Sequence, residues 1–265
     1  MSLRNVLVTG ARGLVGGIVY RRLCEFPEHY SMYALDRSRT PSDRVPADIP
    51  LEIPADRFIE ADIADFAAVR TAVVGMDTVL HLAAIPTGGL GWEAVLTSNI
   101  TGAYNVFEAC KASGVRRVVF ASSIMVSWGV ARDARRTARK RGLSADDVSV
   151  PMVRHDMPTR PIDIYSSSKV WGEALARTYS ERGMSCICIR IGTVVTDDRP
   201  PEDATTTWCS HRDIADLFQR AVDAPDSLQF DIFYGVSDNH GRWVDIDHAR
   251  EILGFVPSDR AEDII

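Results

Sequence analysis

Arg4-Asn-Val-Leu-Val-Thr9, running straight into Gly10-Ala-Arg-Gly-Leu-Val-Gly16, decides the fold of this chain. The first six residues are β-rich and mostly apolar, the pattern of a strand covered on both faces. Glycines at 10, 13 and 16 follow, and residues 14–24 then take helical spacing. Gly10 permits a tight turn, Gly13 lets a ligand approach the backbone, and Gly16 lets helix and strand pack closely. Arg12, Leu14 and Val15 lie in the same turn. The N–H groups and dipole at the helix start favour an anion such as a pyrophosphate. A glycine pattern alone is weak evidence. Its place between a strand and a helix is what dinucleotide binding needs.

Residues 31–36 predict a second strand that ends on Asp36, 20 residues beyond Gly16. A carboxylate there accepts hydrogen bonds from both ribose hydroxyls and repels a 2′-phosphate, which points to NAD rather than NADP. Arg37 beside it is the residue that could hold such a phosphate instead. Further strands are predicted at 57–61, 77–82, 117–121 and 185–191, and helices at 64–74, 92–113 and 164–182. This alternation implies an α/β protein, a Rossmann-type doubly wound parallel sheet with right-handed crossovers. Residues 1–192 form the NAD-binding part, with a basic insertion at 130–162. Residues 193–265, with short elements at 210–223, 229–235 and 245–253, are expected to form a small C-terminal substrate cap.

The chain has 265 residues, 46% hydrophobic and 25% charged, as in an ordinary globular protein. A net charge of −6 argues against nucleic acid or an anionic membrane as partner. No leader-like segment and no apolar run of ~18 residues is present, so a cytoplasmic setting is expected. Cys24, Cys110, Cys186, Cys188 and Cys209 show no paired framework. Cys186 and Cys188 alternate along one strand face and read as buried small residues, and no metal is expected.

Tyr165-Ser-Ser-Ser-Lys169 puts a tyrosine and a lysine on one helix face. A tyrosine hydroxyl titrates near ~10 and is a poor base at neutral pH. An ammonium one turn away favours the phenolate, which could then take a hydroxyl proton while hydride leaves the same carbon. Ser122 and Ser123, just past a strand, are placed to hold the reacting oxygen.

These pieces resemble the extended short-chain dehydrogenase/reductase family (NAD-dependent epimerase/dehydratases). The matching segments are Thr9–Gly16, Asp36, Ala61-Asp62-Ile63, His81-Leu-Ala-Ala84, Asn99, Phe120-Ala-Ser-Ser123 and Tyr165 to Lys169. The resemblance implies that Asp62 and Ile63 contact adenine and that Leu82, Ala83, Ala84 and Ile191 line the cofactor. It implies Ser123 as the catalytic serine, Lys169 on the nicotinamide ribose, and Asn99 supporting the lysine through a water. Residues 189–193, 207–213, 234–239 and 246–257 look like the uronate dehydrogenase subgroup and its relatives that oxidise glucose 6-phosphate with NAD. That likeness implies oxidation at C1 of an acidic, phosphorylated or sulfonated hexose to a lactone. Ile124, Met125, Thr193 and His211 then fall at the substrate. Ile124-Met125 replaces the subgroup's Asn-His, and Asp203 or a neighbour stands where an arginine grips the uronate. Both departures argue against a uronic acid.

Other readings compete. A nucleotide-sugar epimerase or reductase of the same family would need a larger C-terminal region. A non-catalytic NAD(P)-sensing protein would not need the Ser, Tyr and Lys set. Arg132, Arg135, Arg136, Arg139, Lys140 and Arg141 form a basic run that could clamp an oxyanion or simply be a solvated face or subunit contact. Ser210-His-Arg-Asp213 reads as a capping box, Trp208 and Trp243 as packing, and His81 as structural. The long helices at 92–113 and 164–182 could pair in a homo-oligomer.

Overall fold

The computed structural model describes residues 3–46, 51–142 and 148–264. Among them, seven strands form one parallel sheet in the order β3-β2-β1-β4-β5-β6-β7. The strands are β1 (Arg4–Thr9), β2 (Tyr30–Asp36), β3 (Phe58–Glu60), β4 (Thr78–His81), β5 (Arg117–Ser123), β6 (Ser185–Ile191) and β7 (Phe230–Gly235). The chain first winds outward from β1 to β3, then restarts at β4 on the other side of β1. Ligands of such sheets bind at this switch point, beyond the C-terminal strand ends.

Strand alternation sorts the core into two layers. Val6, Val8, Val119, Ile187 and Ile189 face α1 (Leu14–Cys24) and α7 (His211–Asp223). Leu7, Val79, Val118, Phe120, Cys186 and Cys188 face the opposite layer. That layer comprises α2 (Phe66–Ala72), α4 (Ala103–Ala112) and α6 (Ile164–Ser180). Cys186 and Cys188 share one buried face, as the alternation requires.

The structure differs from expectation in three places. The helix expected over 92–113 is α3 (Trp92–Val95), a π-helical segment (Leu96–Gly102) and α4. A Cβ at Gly102 would lie 2.6 Å from Ile63 Cδ1, so that segment packs tightly on the loop after β3. β5 runs to Ser123, which puts the candidate catalytic serine on the last sheet residue. The expected cap beginning at 193 gives its strand and a helix to the main layers: β7 pairs with β6, and α7 packs on α1. Phe233 and Leu217 share the core layer of Val8 and Ile189, which draws both elements in.

The basic insertion is partly helical, as α5 (Trp128–Lys140); residues 143–147 of it lie outside the described residues. It packs with the C-terminal part in a small third cluster of Ile124, Ala131, Val153, Tyr234 and Trp243. The remaining helix is α8 (Asp247–Leu253). Among the described residues no helix is long and apolar enough to cross a membrane.

Candidate active site

The Gly10–Gly16 turn is built by backbone proximity. Gly10 has φ +73°, and a Cβ on it would lie 2.6 Å from the Ala83 nitrogen. A Cβ on Gly16 would meet the Gly10 carbonyl at 2.0 Å. Gly13 caps α1 with extended backbone and no side-chain acceptor, so the first-turn N–H groups stay available to an anion. Leu14 is buried and Val15 half-buried behind the turn. Asp36, at the tip of β2, accepts from Arg12 N (2.9 Å) and Arg37 N (2.8 Å). These bonds orient its carboxylate and leave lone pairs for ribose hydroxyls. The turn and this acid fit a dinucleotide.

Other predicted cofactor residues sit around the same crevice. Leu82 N bonds Thr9 O at 3.2 Å and Ala83 N bonds Thr9 Oγ1 at 3.2 Å, holding the chain through Ala84 beside the turn. Asp62 accepts from Ala64 N (2.8 Å), and Ile63 packs under Gly102. Ile191 ends β6. Arg12 turns its guanidinium to Leu51 O (2.6 Å) and the Phe58 ring.

Asp163 caps α6, accepting from Ser166 N at 2.7 Å, and Ser166 returns the bond to complete a capping box. This fixes the first turn, which carries Tyr165. Lys169, one turn on, is buried and donates to Ala121 O (2.8 Å) near the end of β5. Ser123 follows on the same strand, close enough for its hydroxyl to act on the Tyr165 pKa. Burial raises the Tyr165 pKa, and the Ser123 hydrogen bond and the Arg44 charge oppose that rise. The sequence assigns that lowering to Lys169 instead. The ammonium lies 5.8 Å from the tyrosine ring centre, and burial drops its own pKa to about 8.

Asn99 bonds Ile85 N (2.8 Å), Ile85 O (3.1 Å) and Ser168 Oγ (2.9 Å). Both its N–H donors are used there, which ties the π-helical segment to α6.

Some expectations for the substrate side are corrected. Ile124 is buried in the third core cluster, while Met125 stays half-buried and bonds Ser123 Oγ through its nitrogen at 3.2 Å. Thr193 pairs with Thr207 through both backbone (2.8 Å) and side chain (3.0 Å), which engages its hydroxyl in one bond. The His211 ring bonds Val195 O (2.7 Å) and lines a small cavity with Arg12, Gly13, Leu14 and Pro41. Ser210 caps α7, but Asp213 does not reach back; its carboxylate takes Ser237 Oγ (2.6 Å) and Ser258 N (2.7 Å). Trp208 and Trp243 are packed in the interior. The arginines of α5 lie on an exposed face. His155, Asp231 and His248 bring donor atoms together, but the two rings stack at 3.5 Å and 9°, so their lone pairs run parallel instead of converging on an ion.

Glu173 and Arg190 were missed. They form a buried ion pair beneath the site, and Ser122 donates to Glu173 at 2.6 Å. Ser122 is thereby committed inward, and Ser123 is the serine of the pair that acts on the Tyr165 pKa. A charged residue within the apolar run of β6 was the available signal.

A sequence profile of the NAD dependent epimerase/dehydratase family matches residues 6–211. The chain belongs to that family. It is 31% identical over 262 residues to an NAD-dependent glucose-6-phosphate dehydrogenase of Haloferax volcanii, covering 97% of this chain and 94% of that one. A uronate dehydrogenase of Pseudomonas putida is 33% identical, with 97% of this chain and 85% of that one covered. Among solved structures, uronate dehydrogenase from Agrobacterium tumefaciens superposes with a TM-score of 0.78 at 33% identity, covering 99% of this chain and 87% of that one. A mutant of that enzyme, complexed with NAD, gives 0.77 at 32% identity, with 98% and 87% covered.

Proposed function

We propose that this family member oxidises the C1 hydroxyl of a cyclic hexose carrying an acidic, phosphate or sulfonate group, giving a lactone. Several relatives are named as sugar dehydrogenases: the NAD-dependent glucose-6-phosphate and uronate enzymes, and an L-arabinose 1-dehydrogenase (NAD(P)+) of Haloferax volcanii that is 31% identical over 279 residues. The observation that carries the reading is the bond from Lys169 Nζ to Ala121 O, which docks the α6 turn bearing Tyr165 on the end of β5 where Ser123 lies, together with a glycine turn that a Cβ would fill.

The Gly10–Gly16 turn would hold the pyrophosphate and Asp36 the adenine-side ribose. Bound NAD supplies the hydride acceptor. Ser123 orients the sugar oxygen by hydrogen bonding, and Tyr165 removes its proton as the C–H bond breaks. Lys169 holds a positive charge under the site and fixes α6 against Ala121. The buried Ile124 and half-buried Met125 leave this side of the pocket without the polar pair of the resembling subgroup.

The test is growth of NADH absorbance with aldoses, uronates, sugar phosphates and sulfosugars, with lactone detected as product. Turnover on an anionic hexose is expected. NAD binding without turnover on any sugar would favour a sensor and sink the proposal.

A further inference from the structure

The loop after β2 follows directly on Asp36 and turns back over the glycine turn. Ser42 N bonds Arg12 O at 2.9 Å, which ties the loop to the glycine turn. Val45 N then bonds Ser42 O at 3.0 Å, closing a turn around residue 44. From there the loop reaches the segment that follows β6. Thr196 Oγ1 donates to Arg44 O (2.8 Å), and Arg44 Nη2 donates to Val194 O (3.3 Å). The loop thus bridges the mouth of the crevice, from the cofactor turn to the C-terminal end of the strand beside β5.

Arg44 sits on that bridge and is an exposed residue. Among the described residues, no carboxylate lies within ion-pair distance of it. A guanidinium has five N–H donors, and a single long bond to Val194 O occupies one of them. The rest form a planar fork suited to an oxyanion. Its charge also opposes the rise that burial gives the Tyr165 pKa. The adjoining stretch 194–204 carries Asp197, Asp198, Glu202 and Asp203 against Arg199 alone. A stretch of that sign disfavours an anion nearby unless a cation offsets it, and Arg44 is bonded to its first residue.

We propose that Arg44 is a specificity residue that anchors the oxyanion group of the sugar, presented from the β2–β3 loop across the crevice. This rests on the sugar-dehydrogenase reading above and names the group that reading leaves without a partner. Arg44 touches neither the hydride nor the proton. Its field at Tyr165 acts on every substrate equally, so its effect on specificity is a ratio between substrates.

The experiment compares glucose 6-phosphate with glucose, and glucuronate as a second anion, in wild type, Arg44→Gln and Arg44→Lys, alongside NAD affinity by fluorescence titration. Arg44→Gln should lower the anionic-to-neutral ratio of kcat/KM by ~10–100-fold, the loss typical of one hydrogen bond to a charged group. Arg44→Lys should restore part of it, and NAD affinity should stay within about threefold, far from a phosphate contact's loss. An unchanged ratio would overturn the anchor, as would a loss confined to NAD affinity, which would assign the guanidinium to the cofactor. Wild type that oxidises glucose but neither anion would overturn the anchor and leave the dehydrogenase standing. Wild type that oxidises no sugar would overturn both.

Discussion

Glu173 and Arg190 form a bidentate ion pair in the interior, with Oε1–Nε at 2.8 Å and Oε2–Nη2 at 2.9 Å. Arg190 also donates to the Tyr234 hydroxyl (2.9 Å), which is bonded to Ser127 (2.7 Å), while Ser122 donates to Glu173 (2.6 Å). Burial alone would lower the Arg190 pKa, and the bonds to Glu173 raise it above its ordinary value. α6, β5, β6 and β7 therefore meet on one polar cluster beneath the catalytic groups. Glu173→Ala leaves a buried guanidinium without its partner and should cost about 3–5 kcal/mol in urea unfolding. Glu173→Leu with Arg190→Met should recover most of that stability, because both desolvated charges are gone. A single variant within about 1 kcal/mol of wild type, on the order of a surface pair, would contradict the account.

Tyr165→Phe keeps the ring and the helix but removes the proton acceptor. Base catalysis of this kind is worth ~10²–10⁴-fold, so kcat should fall by that range. The glycine turn and Asp36 are untouched, so NAD affinity should hold. Steady-state kinetics beside a fluorescence titration reads both quantities. Near-wild-type turnover would remove Tyr165 from the base role.

The fold was legible where burial imposes a period. Strands such as 117–121 and 185–191 are covered on both faces and read as mostly apolar runs, and α1 follows its glycines directly. β7 reads as part of a cap because Phe230-Asp-Ile-Phe-Tyr-Gly235 lies at a half-exposed sheet edge, after a long irregular stretch. Tyr165, Lys169 and Ser123 were readable because one helix and one strand end fix them. The partners of Thr193 and His211, Thr207 and Val195, were not readable because they lie on an irregular stretch whose path no periodicity encodes. Glu173 lies one turn beyond Lys169, but its partner arrives from the next strand, and only the folded crossover brings the two together.

Lys169 carries a second consequence of burial. Its pKa falls from 10.5 to about 8, so the folded state binds its proton less tightly than the unfolded chain does. The resulting cost is full below pH 8 and is relieved as pH rises toward 10.5. A shift of this size corresponds to about 3 kcal/mol. Lys169→Met removes it and should be more stable than wild type at pH 7, even with the Ala121 bond lost and catalysis abolished. The advantage should shrink between pH 8 and 10.5, seen as converging thermal midpoints. A variant less stable than wild type at pH 7, with no convergence, would mean that the Ala121 bond outweighs the desolvation.

His81 should set part of the acid limb of stability. It ends β4 in the interior, its Nδ1 is 2.9 Å from Thr9 Oγ1, and burial, aided by the Lys169 charge, lowers its pKa from 6.5 to about 3. Between those values the unfolded chain binds a proton that the folded chain refuses. Stability from the neutral ring is complete above pH 6.5 and drains away as pH falls toward 3. His81→Asn keeps a polar atom facing Thr9 but has nothing to protonate in that window. Its unfolding free energy should therefore fall less steeply than that of wild type from pH 6.5 to about 4, although it starts lower for the lost ring packing against Phe107 and Phe120. Two parallel curves would mean that the acid limb belongs to other groups. A shallower curve would tie the cradle's acid tolerance to this ring, since the same Thr9 hydroxyl accepts from Ala83 N and so positions the backbone beside Gly10.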